Sequence, residues 1–172
     1  MKIIYSLLLF SFGFLLPGLT QAQTAPLLDS LPTTKDEFIA SEKKFINTAN
    51  WLIKTPLDQQ ENKRAKQSAF LIAWISNAPT VTVMINSKFT PLNKKNPQLL
   101  VIYMAAYAKY VLQNNYSKDE VKCTVAAIES VILVYQRELG KTIKKDKDIE
   151  KFIKLQEKGE LEEWVSTQLE KK

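Results

Sequence analysis

Histidine is absent from the 172-residue chain, cysteine occurs once, at Cys123, and there are only four glycines. Without histidine, neither a Ser-His-Asp triad nor a Cys-His pair can be assembled. One thiol and no imidazole cannot build a zinc site of the usual kind. Glycine is too sparse for a phosphate-cradling loop, and neither GxGxxG nor GxxxxGK[ST] occurs. A single cysteine cannot close an internal disulfide, so packing alone must hold the chain together, with Cys123 as a small apolar residue on a helix. Nothing in this composition calls for a cofactor or a metal. Arginine is scarce too: only Arg64 and Arg137 supply the forked donors that bases and phosphates favour, against a lysine-rich surface with a net charge of +6. Basic residues from Lys54 to Lys118 outnumber Asp58 and Glu61, which reads as a solvated face rather than a nucleic-acid interface.

What is present begins with MKIIYSLLLFSFGFLLPGLTQAQ: Lys2, an apolar stretch from Ile3 to Leu16, a Pro17-Gly18 breaker, and small residues at Thr20 and Ala22. This is the layout of a secretory signal peptide, 1–22, with cleavage after Ala22 and a mature start at Gln23. An uncleaved anchor is disfavoured because the stretch is shorter than the roughly 20 residues of a spanning helix. No cysteine follows the breaker to carry a lipid. Residues 23–33 are expected to form a flexible, proline-interrupted leader, and 34–172 one helical domain. The expected location is periplasmic or secreted, with no transmembrane helix after cleavage.

The apolar periodicity predicts an all-α, single-domain bundle of four to six helices with one extended connector at about 79–92. Thr34 with Glu37 forms a capping box, and Phe38, Ile39, Phe45, Ile46, Ala49, Leu52 and Ile53 recur on one face until Pro56. A second helix is expected from Asp58 to about Asn77, buried only in its AFLIAWIS half. Val81, Val83 and Ile85 alternate as in a strand, but one strand makes no sheet, so they read as a connector pressed against helices or pairing with a second copy. Helix three runs from Pro97 to Gln113. Asn114-Asn115-Tyr116 is a turn, Ser117 with Glu120 predicts a second capping box, and Gly140 caps the end of helix four. Asp148 to Lys158 and Glu160 to Leu169 predict two short helices broken at Gly159.

NPQLLVIYMAAYAKYVLQNNYSKDE, 96–120, is apolar on every side and so predicts a central helix. Tyr103, Tyr107 and Tyr110 share a stripe, and with Trp74 they are the candidate ligand-binding residues, against the plainer expectation that their rings pack the core with hydroxyls at the rim. Glu42 and Glu129 are expected as buried carboxylates, since both sit on apolar faces without a local partner. Together they could act as acid and base in a hydrolase, or form structural ion pairs with Arg137, Arg64 or Lys109. Ser41 and Lys44 match S-x-x-K, without the accompanying S-D-N or K-T-G, and read as chance. Asp29-Ser30-Leu31 matches the short acceptor pattern for O-glycosylation.

The tracts ENKRAKQSAFLIAWISNAPTVTV and NPQLLVIYMAAYAKYVLQNNYSKDEVK, together with the leader, resemble small exported helical proteins of Bacteroidota that have no assigned activity. The resemblance implies a helical fold and export, and assigns no functional residue. The expected function is therefore non-catalytic: contact with an envelope or extracellular protein, with copies of itself, or with surface polymer, through Trp51 and the Val81 to Ile85 connector. A carrier of a small hydrophobic or sugar ligand, and a carboxylate-based hydrolase, are the alternatives.

Overall fold

A computed structural model describes residues 31–89 and 95–170. The expected signal peptide, most of the expected leader including Asp29 and Ser30, and the far end of the connector lie outside the described residues. Six helices, and no strand among the described residues, follow in the order α1 (Lys35–Lys54), α2 (Glu61–Asn77), α3 (Gln98–Gln113), α4 (Glu120–Glu138), α5 (Lys147–Glu157) and α6 (Leu161–Glu170). None of these helices is long and apolar enough to cross a membrane.

The capping box opens α1 as expected: Glu37 N donates to Thr34 Oγ1 at 3.3 Å, and the Glu37 carboxylate accepts from Thr34 N at 3.2 Å. Phe38, Phe45, Ala49, Leu52 and Ile53 bury the periodic face, whereas Ile39, expected on that face, is exposed. Thr55 is extended, as a residue before proline must be, and the helix stops. Asp58 does not open α2. The chain turns through Pro56–Gln59, with Gln59 N donating to Pro56 O at 3.2 Å, and Gln60 adopts a left-handed conformation at φ 52° before the helix starts at Glu61. Those residues are consumed in reversing the chain, because α2 must run back along α1. Only Phe70, Leu71 and Trp74 of α2 are buried, all in its apolar half.

Burial on every side marks α3 as the central helix: Leu99, Ile102, Tyr103, Ala105, Ala106, Tyr107, Ala108 and Val111 are all inside. It packs most extensively on α4 and also touches α1 and α2. The expected Ser117/Glu120 capping box is not formed. Asn115 and Tyr116 both take positive φ, 51° and 56°, and this turn places Asp119 at the N-cap, where its carboxylate accepts from Lys122 N at 3.0 Å. Ser117 Oγ instead accepts from Asp119 N at 3.2 Å. A carboxylate at this position also meets the positive end of the helix dipole, which a hydroxyl does not. At the other end of α4, Gly140 has φ +79°, the left-handed position that closes a helix.

The shorter helices α5 and α6 break at Gly159, φ +72°, and both pack against α4. Ile149, Phe152, Leu161 and Val165 are buried there, with Ile153 and Trp164 half-buried. The chain between α2 and α3 is held to the rest of the fold at Phe89 and again at Asn96. Phe89 is buried edge-on to Trp164, ring centroids 6.0 Å apart. The buried Asn96 side chain makes two bonds to the backbone of Lys144, each 2.9 Å. Such an amide satisfies a loop's backbone as a neighbouring strand would.

Candidate functional site

The four candidate aromatic residues do not gather around one pocket. Trp74 belongs to the α1–α2 layer, with its ring 4.4 Å from Phe45 and 5.5 Å from Phe38 and its Nε1 donating to Ser41 Oγ at 2.7 Å. Ser41 in turn donates to Phe38 O at 2.8 Å, and Lys44 Nζ lies 4.8 Å from the centre of the Phe70 ring. Both members of the S-x-x-K match are thus occupied in holding helices together. Tyr103 and Tyr107 pack on each other at 6.2 Å. The Tyr103 hydroxyl is buried opposite Thr124, and neither makes a hydrogen bond of good geometry, although the Thr124 hydroxyl is near enough to temper the Tyr103 pKa. Burial pushes that pKa up to about 12.

Tyr107 does line a cavity. It is a partly enclosed space of about 270 Å³ between the connector (Thr80, Thr82, Met84), the end of α3 (Tyr107, Val111) and the α3–α4 turn (Tyr116, Ser117, Lys118, Glu120). Burial, then the neighbouring Cys123, Tyr103 and Glu120, raise the Tyr107 pKa. Tyr116 had no place among the sequence candidates, yet it borders this cavity with a partly exposed ring. Its hydroxyl donates to Glu42 Oε1 at 2.9 Å. A left-handed tyrosine costs on the order of 1–3 kcal/mol and persists only when its surroundings hold it.

Tyr110 faces a different space, a groove of about 320 Å³ between α3 and α4 shared with Lys109, Gln113, Glu129, Ser130 and Leu133. Lys109 Nζ donates to Asn50 Oδ1 at 3.2 Å, and burial, with the nearby Lys54, holds its ammonium below the usual lysine range.

Neither candidate carboxylate is buried. Glu129 is exposed at the rim of that groove, and Glu42 is half-covered under Tyr116. Their helices place them on separate features, one on α4's groove and the other at the α3–α4 turn, and neither pairs with an arginine. The guanidiniums are committed elsewhere. Arg64 donates to Leu52 O, Thr55 O and Pro56 O at 3.3, 2.7 and 2.8 Å. Arg137 Nη1 donates to Ile53 O and Lys54 O, and its Nη2 to Thr55 O, at 2.8, 3.2 and 3.2 Å. Two cations thus meet the unpaired carbonyls and negative dipole end of α1. Burial and the facing Arg137 lower the Arg64 pKa, against the pull of Glu138 and Asp58.

Arg137 takes Glu138 as its ion-pair partner, Nε to Oε1 at 2.6 Å. Burial raises the Glu138 pKa, but hydrogen bonds from Arg137 and Thr142 outweigh it and the net shift is downward. Sequence spacing concealed this pair because adjacent residues on a helix do not face each other; only the shared approach to α1 turns both side chains inward. Trp51, a candidate for contact with a partner, is half-buried, with Lys63 Nζ 4.7 Å and Arg64 Cζ 5.5 Å from its ring centre. In the connector, Val81 is buried and Ile85 is 54% exposed. No cluster of three or more Cys, Asp or Glu able to hold a metal ion occurs among the described residues.

No family model, curated protein sequence or solved structure matches the chain.

Proposed function

We propose that the protein is a non-catalytic, exported helical module that acts by contact with another component of the cell envelope, through the connector around Ile85. The observation that carries this reading is the placement of the reactive side chains. Arg64, Arg137 and Glu138 close the end of α1, Ser41 and Lys44 brace α2, and Glu42 and Glu129 serve separate features. None is left as an acid–base pair across a cleft, as carboxylate hydrolysis needs. Ile85, by contrast, is a β-branched apolar residue more than half exposed on a segment outside any helix, the kind of side chain that a partner chain can cover.

Native mass spectrometry of the protein purified from its own envelope tests this. The expected result is a mass beginning at Gln23 that travels with a partner or a second copy, and an Ile85→Lys variant that travels alone. A bare monomer for both forms overturns the contact reading, and a mass retaining the leader overturns export by cleavage.

A further inference from the structure

We propose that the cavity between the connector and the α3–α4 turn binds one neutral sugar ring. The connector is built for two jobs. Val81 turns into the core, while the intervening Thr80, Thr82 and Met84 line the cavity. The strand-like alternation of this segment therefore places Thr80, Thr82 and Met84 along the cavity, with the exposed Thr82 offering its hydroxyl there. Ser117 adds a hydroxyl from the turn, and Tyr107 lines the space from α3 with its hydroxyl held against the Met84 backbone.

Tyr116 supplies an aromatic face. It holds a left-handed backbone at φ 56° beside a left-handed Asn115, and its hydroxyl is anchored on Glu42 at 2.9 Å. Backbone strain of this kind gathers at ligand clamps, and here it keeps a large ring at the cavity mouth in one orientation. A ring face for the apolar side of a ligand, with hydroxyls around its edge, is the chemistry of polyol recognition. The charges at the mouth are one of each sign, Lys118 and Glu120, both exposed to water. They favour a neutral ligand over an anion. At about 270 Å³ the space falls below the range of roughly 300–1,000 Å³ that holds drug-sized ligands, and suits a single six-membered ring.

This site is independent of whatever covers Ile85, so either proposal can fail alone. The test is a two-dimensional amide NMR titration of the mature chain with D-glucose, D-galactose and N-acetyl-D-glucosamine, and with L-alanine as a zwitterionic control. Saturable shifts centred on residues 80–84 and 116–120 are expected with at least one sugar, at millimolar Kd. Tyr116→Ala should weaken that binding roughly tenfold, since one ring contact is worth about a decade of affinity. Thr82→Val removes a hydroxyl from an exposed position without changing the fold, and should also weaken it. Three results overturn the proposal: no saturable shift with any of the sugars, saturation by L-alanine alone, or sugar binding that both variants leave unchanged.

Discussion

Tyr103 and Tyr135 are both fully buried, and removing the hydroxyl from each should have opposite consequences. The Tyr135 hydroxyl donates to Glu150 Oε1 at 2.8 Å and accepts from Asp146 N at 3.0 Å, so it ties α4 to the start of α5. Tyr135→Phe leaves a buried backbone N–H without a partner and removes a bond to a carboxylate; the cost should be about 2 kcal/mol. The Tyr103 hydroxyl has no hydrogen bond of good geometry, and the facing Thr124 hydroxyl is in the same state. Tyr103→Phe removes an unpaired polar group from the core and should be neutral or stabilise by up to about 1 kcal/mol. Ring packing is kept in both variants, so the difference isolates the hydroxyl's surroundings. Urea unfolding followed by far-UV circular dichroism, with equal m-values confirming a common unfolding reaction, measures both. A Tyr103→Phe variant destabilised as much as Tyr135→Phe would refute the reasoning, because it would require a strong partner for the Tyr103 hydroxyl.

Alkaline stability should fall in a defined window. Burial pushes the folded Tyr103 pKa up to about 12 against about 10 in an unfolded chain; the native state holds its proton more tightly, so the group costs no stability by ionisation below pH ~10 and draws stability away as pH rises from ~10 toward ~12. Unfolding free energies measured against pH should therefore decline less steeply over that range in Tyr103→Phe than in the wild type. Glu138 has the opposite sign: its lowered pKa means a contribution present above the ordinary carboxylate range and lost as pH falls through the folded value. Glu138→Gln should cost about 2 kcal/mol at neutral pH by weakening a buried charge-assisted bond, and the difference from wild type should vanish in acid-unfolding titrations. Cys123 is buried, and burial pushes its thiol pKa up; a disulfide reagent should label it slowly in native protein and at once in denaturant. Rapid labelling of the native chain would contradict the packing around α4.

Much of the architecture was legible because it depends on neighbours in sequence. The capping box at Thr34 and Glu37, the stop before Pro56, the left-handed Gly140 and the break at Gly159 are local backbone chemistry, and all appear where the residues place them. The central position of α3 followed from its lack of a polar face. The misplaced starts have local causes of another kind. Asp58 and Ser117 are good capping residues, but the turns beside them needed left-handed Gln60 and left-handed Asn115 and Tyr116, and the geometry of chain reversal overrode cap preference.

The candidate sites were much less legible. A stripe of tyrosines at helical spacing states which residues share a face of α3, yet whether that face meets protein or a cavity depends on what the connector and α4 place opposite it. Tyr103 went into the core, Tyr107 to one cavity and Tyr110 to another. Glu42 and Glu129 looked buried because their helix neighbours are apolar, and only the outer position of both side chains left them in contact with solvent. The sequence by itself determined the helical class, the element order and the excluded chemistries, since composition, periodicity and capping act over a few residues. Tertiary structure alone decided that Arg64 and Arg137 converge on the end of α1 and that Thr80, Thr82, Tyr107 and Tyr116 border one space, because those neighbours are brought together by packing across the chain.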